Sequence, residues 1–134
     1  ELRALPGADR IDWLGFLIGE ALASQIRGAR ALVLPSEWYE NAPMSVLEAY
    51  ASGVPVVGSR IGGIPELITE DTGWVFPPGD VDALAAVLKR VVDSPDASIV
   101  EMGRRARERV LREFGLERHV AGVLDVYRGL GVAC

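Results

Sequence analysis

The run Pro35-Ser36-Glu37-Trp38-Tyr39-Glu40-Asn41-Ala42-Pro43 gathers carboxylate, amide and aromatic side chains just ahead of a segment that reads as a helix. Pro43 suits the first helical position, where its missing N–H would have no intrahelical partner in any case. The amides of Met44, Ser45 and Val46 then point back out of the helix start, and with the helix dipole they make a site for a phosphate group. Amides alone hold any anion. Selectivity has to come from Glu40, beside the helix start, and from Glu48, within the helix on the side of Ser45 and Ser52. Ionised carboxylates only accept hydrogen bonds, and the vicinal hydroxyls of a ribose or hexose offer paired donors, so the arrangement fits a sugar phosphate. Plainer readings stand beside this one. Ser45-Val46-Leu47-Glu48 has the spacing of a capping box, Glu40 can be a solvated loop acid, and Trp38 and Tyr39 can be a rim that packs the loop down.

The elements that must position these groups follow from the apolar pattern. Short runs at Ile11–Phe16, Ala31–Leu34 and Val54–Val57 are separated by stretches of helical length, the rhythm of βαβ units around a parallel sheet, and a shorter strand is expected at Gly73–Phe76. Val33-Leu34 and Val54-Pro55-Val56-Val57 are continuously apolar, as expected where both faces of a sheet are covered by helices. Helices are predicted at 19–28, 43–52, in a short turn at 65–69, and at 81–92, 99–114 and 116–128. Asp80 is the expected N-cap of the fourth, Ser98 to Glu101 a capping box opening the fifth, and Gly115 its stop. Val120, Val123, Leu124 and Tyr127 form an apolar stripe on the last. Leu2 and Leu5 read as the tail of a helix that begins before Glu1, so at least one upstream βα unit is expected to complete the domain. Open parallel sheets bind ligands outside the carboxyl ends of their strands, which directs attention to the loops after Phe16, Leu34 and Val57.

Composition sets the outer bounds. A chain of 134 residues, 49% hydrophobic and 25% charged, is one ordinary globular domain. No apolar run approaches the roughly 20 residues that cross a bilayer. A single cysteine, Cys134, and a single histidine, His119, assemble neither a disulfide framework nor a Cys/His zinc site. The net charge of −5 argues against a nucleic-acid or anionic-membrane binder. Arg104, Arg105, Arg107, Arg109 and Arg112 do cluster, but Glu101/Arg105 and Glu108/Arg112 stand at i,i+4 spacing, as on a solvated helix face.

Glu40-x7-Glu48, followed by Ala49, Gly53-Val54-Pro55-Val56-Val57 and Gly62-Gly63-Ile64-Pro65-Glu66, resembles the donor-site signature of the retaining family 4 (group 1) glycosyltransferases. Asp9-Arg10-Ile11…Leu14-Gly15, Ala31-Leu32-Val33-Leu34-Pro35-Ser36 and Thr72-Gly73-Trp74-Val75…Pro78-Gly79-Asp80 are similar to the same family in order and spacing, so the likeness covers most of the chain. The resemblance implies an α/β, Rossmann-like domain over residues 1–134, with C-terminal helices over about 81–128. It would be the C-terminal, donor-binding half of a two-domain GT-B enzyme, with an acceptor-binding N-terminal domain outside this chain. The implied reaction transfers a sugar from a nucleoside-diphosphate sugar to an acceptor with retention, without metal or cofactor, in the cytoplasm or at the membrane surface, with no membrane contact through this domain. By this likeness Glu40 contacts the donor sugar and steadies charge at the reacting carbon, and Glu48 holds the ribose hydroxyls. Asn41, Ala42, Met44 and Ser45 cradle the diphosphate, Leu17 falls where the family contacts the base, and Gly62 and Gly63 permit close backbone approach.

Two departures qualify the likeness. Asn41-Ala42-Pro43 stands where many members have Gly-Phe-Gly, which removes the amide of position 43 and shifts phosphate contact to Met44 and Ser45. The family's basic pair that clamps the diphosphate falls upstream of Glu1, and position alone does not give that role to Arg10 or Arg60. Rival readings are weaker. Asp80-Val81-Asp82 has the form of a metal-binding Asp-x-Asp, but a helix start accounts for both acids. Glycoside hydrolysis needs two carboxyls facing one bond, and here a helix start lies between them. A nucleotide-sugar epimerase fits Glu-x7-Glu less well, and a non-catalytic nucleotide-binding or interaction module is the remaining alternative.

Overall fold

The computed structural model describes residues 2–131; Cys134 lies outside them. Two short 3₁₀ turns, Leu2–Ala4 and Ala8–Arg10, lead into α1 (Gly19–Gly28), β1 (Leu32–Leu34), α2 (Met44–Ala51), β2 (Val56–Ser59), α3 (Ile64–Leu67) and β3 (Gly73–Phe76). Three further helices follow, α4 (Val81–Asp93), α5 (Asp96–Glu113) and α6 (Leu116–Gly129). The sheet is three-stranded and parallel in the order β1-β2-β3, with Leu32 opposite Val56 and Val57 opposite Trp74.

Alternation along β2 explains why Val56 and Val57 are both apolar. Val56 faces one core, with Val46, Ala49 and Tyr50 of α2, Ile64 and Leu67 of α3, and Ala106 and Val110 of α5. Val57 faces another, with Phe76, Val87 and Val91 of α4, and Ile99. Neighbouring side chains of a strand point to opposite faces, so both sides of the sheet are covered, as the continuous hydrophobicity requires. Within the first of these layers α5 closely approaches the end of α2: a Cβ at Gly103 would fall 1.9 Å from the Gly53 carbonyl oxygen, so only glycine fits.

Several boundaries differ from expectation for local reasons. Ile11–Phe16 is not a strand. Gly15 takes a left-handed φ of 69°, which breaks the extended run, and Ile11, Leu14 and Phe16 are exposed. The first described element, Leu2–Ala4, is a 3₁₀ turn. β2 starts at Val56 rather than Val54, because the Val54 amide donates back to Ala49 and closes α2, and Pro55 has no amide for a ladder. α5 starts at Asp96: Ser98 and Ile99 donate to the Pro95 carbonyl, so the capping box at Ser98 does not form. Gly115 serves as N-cap of α6 with φ −68°, not as a left-handed stop for α5. Asp80 does cap α4, its Oδ1 accepting from the Ala83 amide at 2.8 Å. The apolar stripe of α6 finds no core here, and Val120, Val123 and Tyr127 are exposed.

The arginines of α5 do more than coat a surface. Glu101 pairs with Arg105 as expected, but Glu108 pairs with Arg104, and Arg112 pairs with Glu113. Arg105 reaches Asp71 at 2.6 Å, and Arg107 donates to the Ala51 carbonyl at the end of α2. Arg109, with its side chain 17% exposed, donates to the carbonyls of Leu67 at 2.6 Å and Glu66 at 3.0 Å, satisfying the end of α3.

Tyr50 is the largest fully buried side chain. Its hydroxyl donates to the Leu67 carbonyl at 3.1 Å and is hydrogen-bonded to Thr72 at 2.7 Å. Burial pushes the phenol above its ordinary 10.0, against the lowering influence of the Thr72 bond and the Arg109 charge. A folded pKa above the unfolded one means that the associated stability is complete below about pH 10 and is lost as pH rises through the folded value. In a spectrophotometric titration Tyr50 should therefore give a late ionisation step, above the ordinary phenol range. Tyr50→Phe should abolish the late step and destabilise the domain by about 1 kcal/mol. A late step that survives Tyr50→Phe would contradict this assignment.

Candidate functional site

β1 ends at Leu34, and the chain then runs across the carboxyl end of the sheet before entering α2. Ser36 shapes the first part of that loop: its Oγ accepts from the Trp38 amide at 3.3 Å, lies 3.2 Å from the Trp38 carbonyl, and is 3.3 Å from Oε1 of Glu40. Such a hydroxyl turn fixes a tight bend without secondary structure. Glu40 is half-buried, whereas Trp38 and Tyr39 are 81% and 88% exposed, so these aromatics do not pack the loop down.

Glu40 is also held from the other side. The loop after β2 carries Gly62, with φ +58°, and Gly63, whose amide donates to the Glu40 carbonyl at 2.7 Å. A Cβ at Gly62 would fall 2.3 Å from the Glu40 carbonyl oxygen, and one at Gly63 would fall 1.9 Å from that of Asn41. The two loops are thus in backbone contact, a closeness that only glycine permits.

α2 begins one residue later than expected. Pro43 is its N-cap, with φ −64° and ψ 115°, and Met44 its first helical residue. Val46 donates to the Pro43 carbonyl at 3.1 Å, so the amides free at the helix start are those of Met44 and Ser45. Because Ser45 lies inside the helix and no side chain caps it, the capping-box reading of Glu48 fails. Glu48 is exposed and its side chain has no hydrogen-bond partner among the described residues. Asn41, Ala42 and Met44 are exposed, and Ser45 is half-buried. The structure therefore brings Glu40, Asn41, Gly62 and Gly63 together and sets Met44, Ser45 and Glu48 along the adjoining helix.

Leu17 is the exception. Its expected place depended on a preceding strand, and residues 11–18 form none; Leu17 sits half-buried in an irregular segment before α1. Ser36 is the residue that reading the sequence missed. Its spacing from Glu40 signals a loop hydroxyl within reach of the acid, but only the bend at Trp38 turns that spacing into a contact.

The site lies open, with Asn41, Ala42, Met44 and Glu48 exposed. A groove of about 540 Å³ between α2 and α6, lined by Met44, Leu47, Phe114, His119, Val123 and Val126, takes in one of these residues, Met44.

Residues 1–94 match the family described as Glycosyl transferases group 1. This chain belongs to that family. It is 36% identical over 113 residues to the MMP alpha-(1->4)-mannosyltransferase of Mycolicibacterium hassiacum, covering 83% of this chain and 27% of the relative. It is 37% identical over 116 residues to the glycogen synthase of Mycobacterium tuberculosis, covering 86% and 28%. Among solved structures it superposes on sucrose-phosphate synthase from Thermosynechococcus elongatus with a TM-score of 0.81 and 34% identity, over 91% of this chain and 30% of that one. The group 1 domain thus has the Rossmann-like α/β fold of GT-B glycosyltransferases, and it spans less than a third of these relatives. No helix among the described residues is long and apolar enough to cross a membrane.

Proposed function

We propose that this domain holds the nucleoside-diphosphate-sugar donor of a retaining, metal-independent family 4 glycosyltransferase, whose complete chain transfers the sugar to an acceptor bound by another domain. One observation carries the reading. At the carboxyl end of a parallel sheet, a braced acid, Glu40, and a partnerless helical acid, Glu48, flank the free amides of Met44 and Ser45. In this assignment Glu40 accepts from the donor sugar's hydroxyls and stabilises positive charge at the anomeric carbon, and the helix start receives the diphosphate. Glu48 accepts from the ribose. The loop from Pro35 to Pro43 and α2 carry three carboxylates, Glu37, Glu40 and Glu48, and no Lys or Arg. A dianionic diphosphate therefore needs cationic partners from elsewhere in the complete protein, and the cleft needs its other wall to hold donor and acceptor together.

Calorimetric titration of the complete protein with UDP, GDP and ADP, and with a sugar ester of each, tests the donor site. One nucleotide should bind well above the others, and its sugar ester should be turned over. Silence with all three families of ligand would sink the assignment.

A further inference from the structure

We propose that Gly62, Gly63 and Ser36 are positioning residues for transfer: they set the Glu40 carboxylate without touching the donor. This rests on the donor-site reading and adds that the reactivity of Glu40 is controlled from the loop after β2. Three contacts converge on one residue. The Gly63 amide donates to the Glu40 carbonyl at 2.7 Å, Gly62 leaves no room for a Cβ above that same oxygen, and Ser36 Oγ lies 3.3 Å from Oε1. Backbone is therefore fixed from one side and carboxylate from the other. Tyr39 and Asn41 on either side of Glu40 are exposed, whereas Glu40, where the three contacts meet, is half-buried. A Cβ at Gly63, 1.9 Å from the Asn41 oxygen, lies well inside the 3.0 Å that real Cβ atoms keep, so the Glu40–Asn41 backbone must yield. Misplacing a reacting group by about 1 Å costs about 100-fold in rate.

The test uses the complete protein with UDP-glucose, GDP-mannose and ADP-glucose as donor probes. Gly63→Ala and Gly62→Ala should lower kcat by about 10- to 100-fold, several times more than they weaken Kd for the bare nucleotide. Gly62→Asn should be no better than Gly62→Ala, because asparagine tolerates the left-handed backbone but brings the same Cβ. In a Glu40→Gln background, Gly63→Ala should add nothing further. Ser36→Ala should lower kcat less, and Ser36→Thr, which keeps the hydroxyl, should restore it. Full kcat in folded Gly63→Ala, loss of nucleotide affinity in step with kcat, or effects that add to those of Glu40→Gln would each overturn the proposal. Should the glycine variants not fold, the Ser36 pair decides, and an unchanged kcat in Ser36→Ala counts against it. Failure of the donor-site reading shows differently, as full kcat in Glu40→Gln itself.

Discussion

Replacing Glu40 by Gln in the complete protein is expected to lower turnover of its nucleotide-sugar donor by about 100- to 1000-fold, the loss found when one preorganised group facing transition-state charge is removed. The substitution keeps the size of the side chain and a carbonyl oxygen for Ser36 Oγ to approach, so the loop geometry should survive. Only the negative charge is lost. Charge on the anomeric carbon develops as the leaving diphosphate departs, and a carboxylate there stabilises the transition state more than the ground state, so kcat should fall and KM should change little. Affinity for the bare nucleotide should be the same as in the parent protein, since Glu40 is assigned to the sugar. Thermal stability should also hold, because Glu40 is in no ion pair among the described residues, and glutamine keeps both the backbone bond from Gly63 and an oxygen for Ser36 Oγ. An equal loss of bare-nucleotide affinity and turnover would show that Glu40 acts through the loop's shape and not through its charge.

Reading the sequence located this acid but not what holds it. Residue type and spacing placed Glu40 after a strand and Glu48 within a helix, because apolar runs and a proline are local signals. The doubly covered sheet was equally legible, since Val56 and Val57 cannot both be apolar in a sheet with one wet face. Three other features were not legible, each for a physical reason. The Ile11–Phe16 run has strand-like composition, but Gly15 has a positive φ that composition does not announce. Ser98 has the look of a cap, yet hydrogen bonding begins at the Pro95 carbonyl, and backbone geometry rather than side-chain type decided the helix start. The glycine side of the brace on Glu40 joins residues more than twenty positions apart through backbone atoms, which carry no sequence signature beyond the glycines that allow the approach. Arg109 is a similar case: in sequence it belongs to a basic run on a helix, and in the fold it closes the end of α3.

Glu48→Ala should weaken nucleotide binding by about 10- to 100-fold, the size expected for losing hydrogen bonds to a charged acceptor. It should leave the fold untouched. Because α2 starts at Met44, Glu48 caps nothing, and it has no partner among the described residues; alanine is also the better helix former, so thermal stability should be unchanged or slightly raised. A residue whose removal costs no stability but costs affinity has to act on the ligand directly. The ribose can be identified as its partner by pairing the substitution with a 2′-deoxynucleoside diphosphate of the preferred base. The parent protein should bind the deoxy compound more weakly than the ribo compound, whereas Glu48→Ala should scarcely distinguish the two, because each change removes a side of the same hydrogen bond. Glu48→Gln, which keeps an acceptor without the charge, should fall between them. A variant that still discriminates ribose from deoxyribose as fully as the parent would detach Glu48 from the sugar of the nucleotide and leave the helix start as a phosphate site alone.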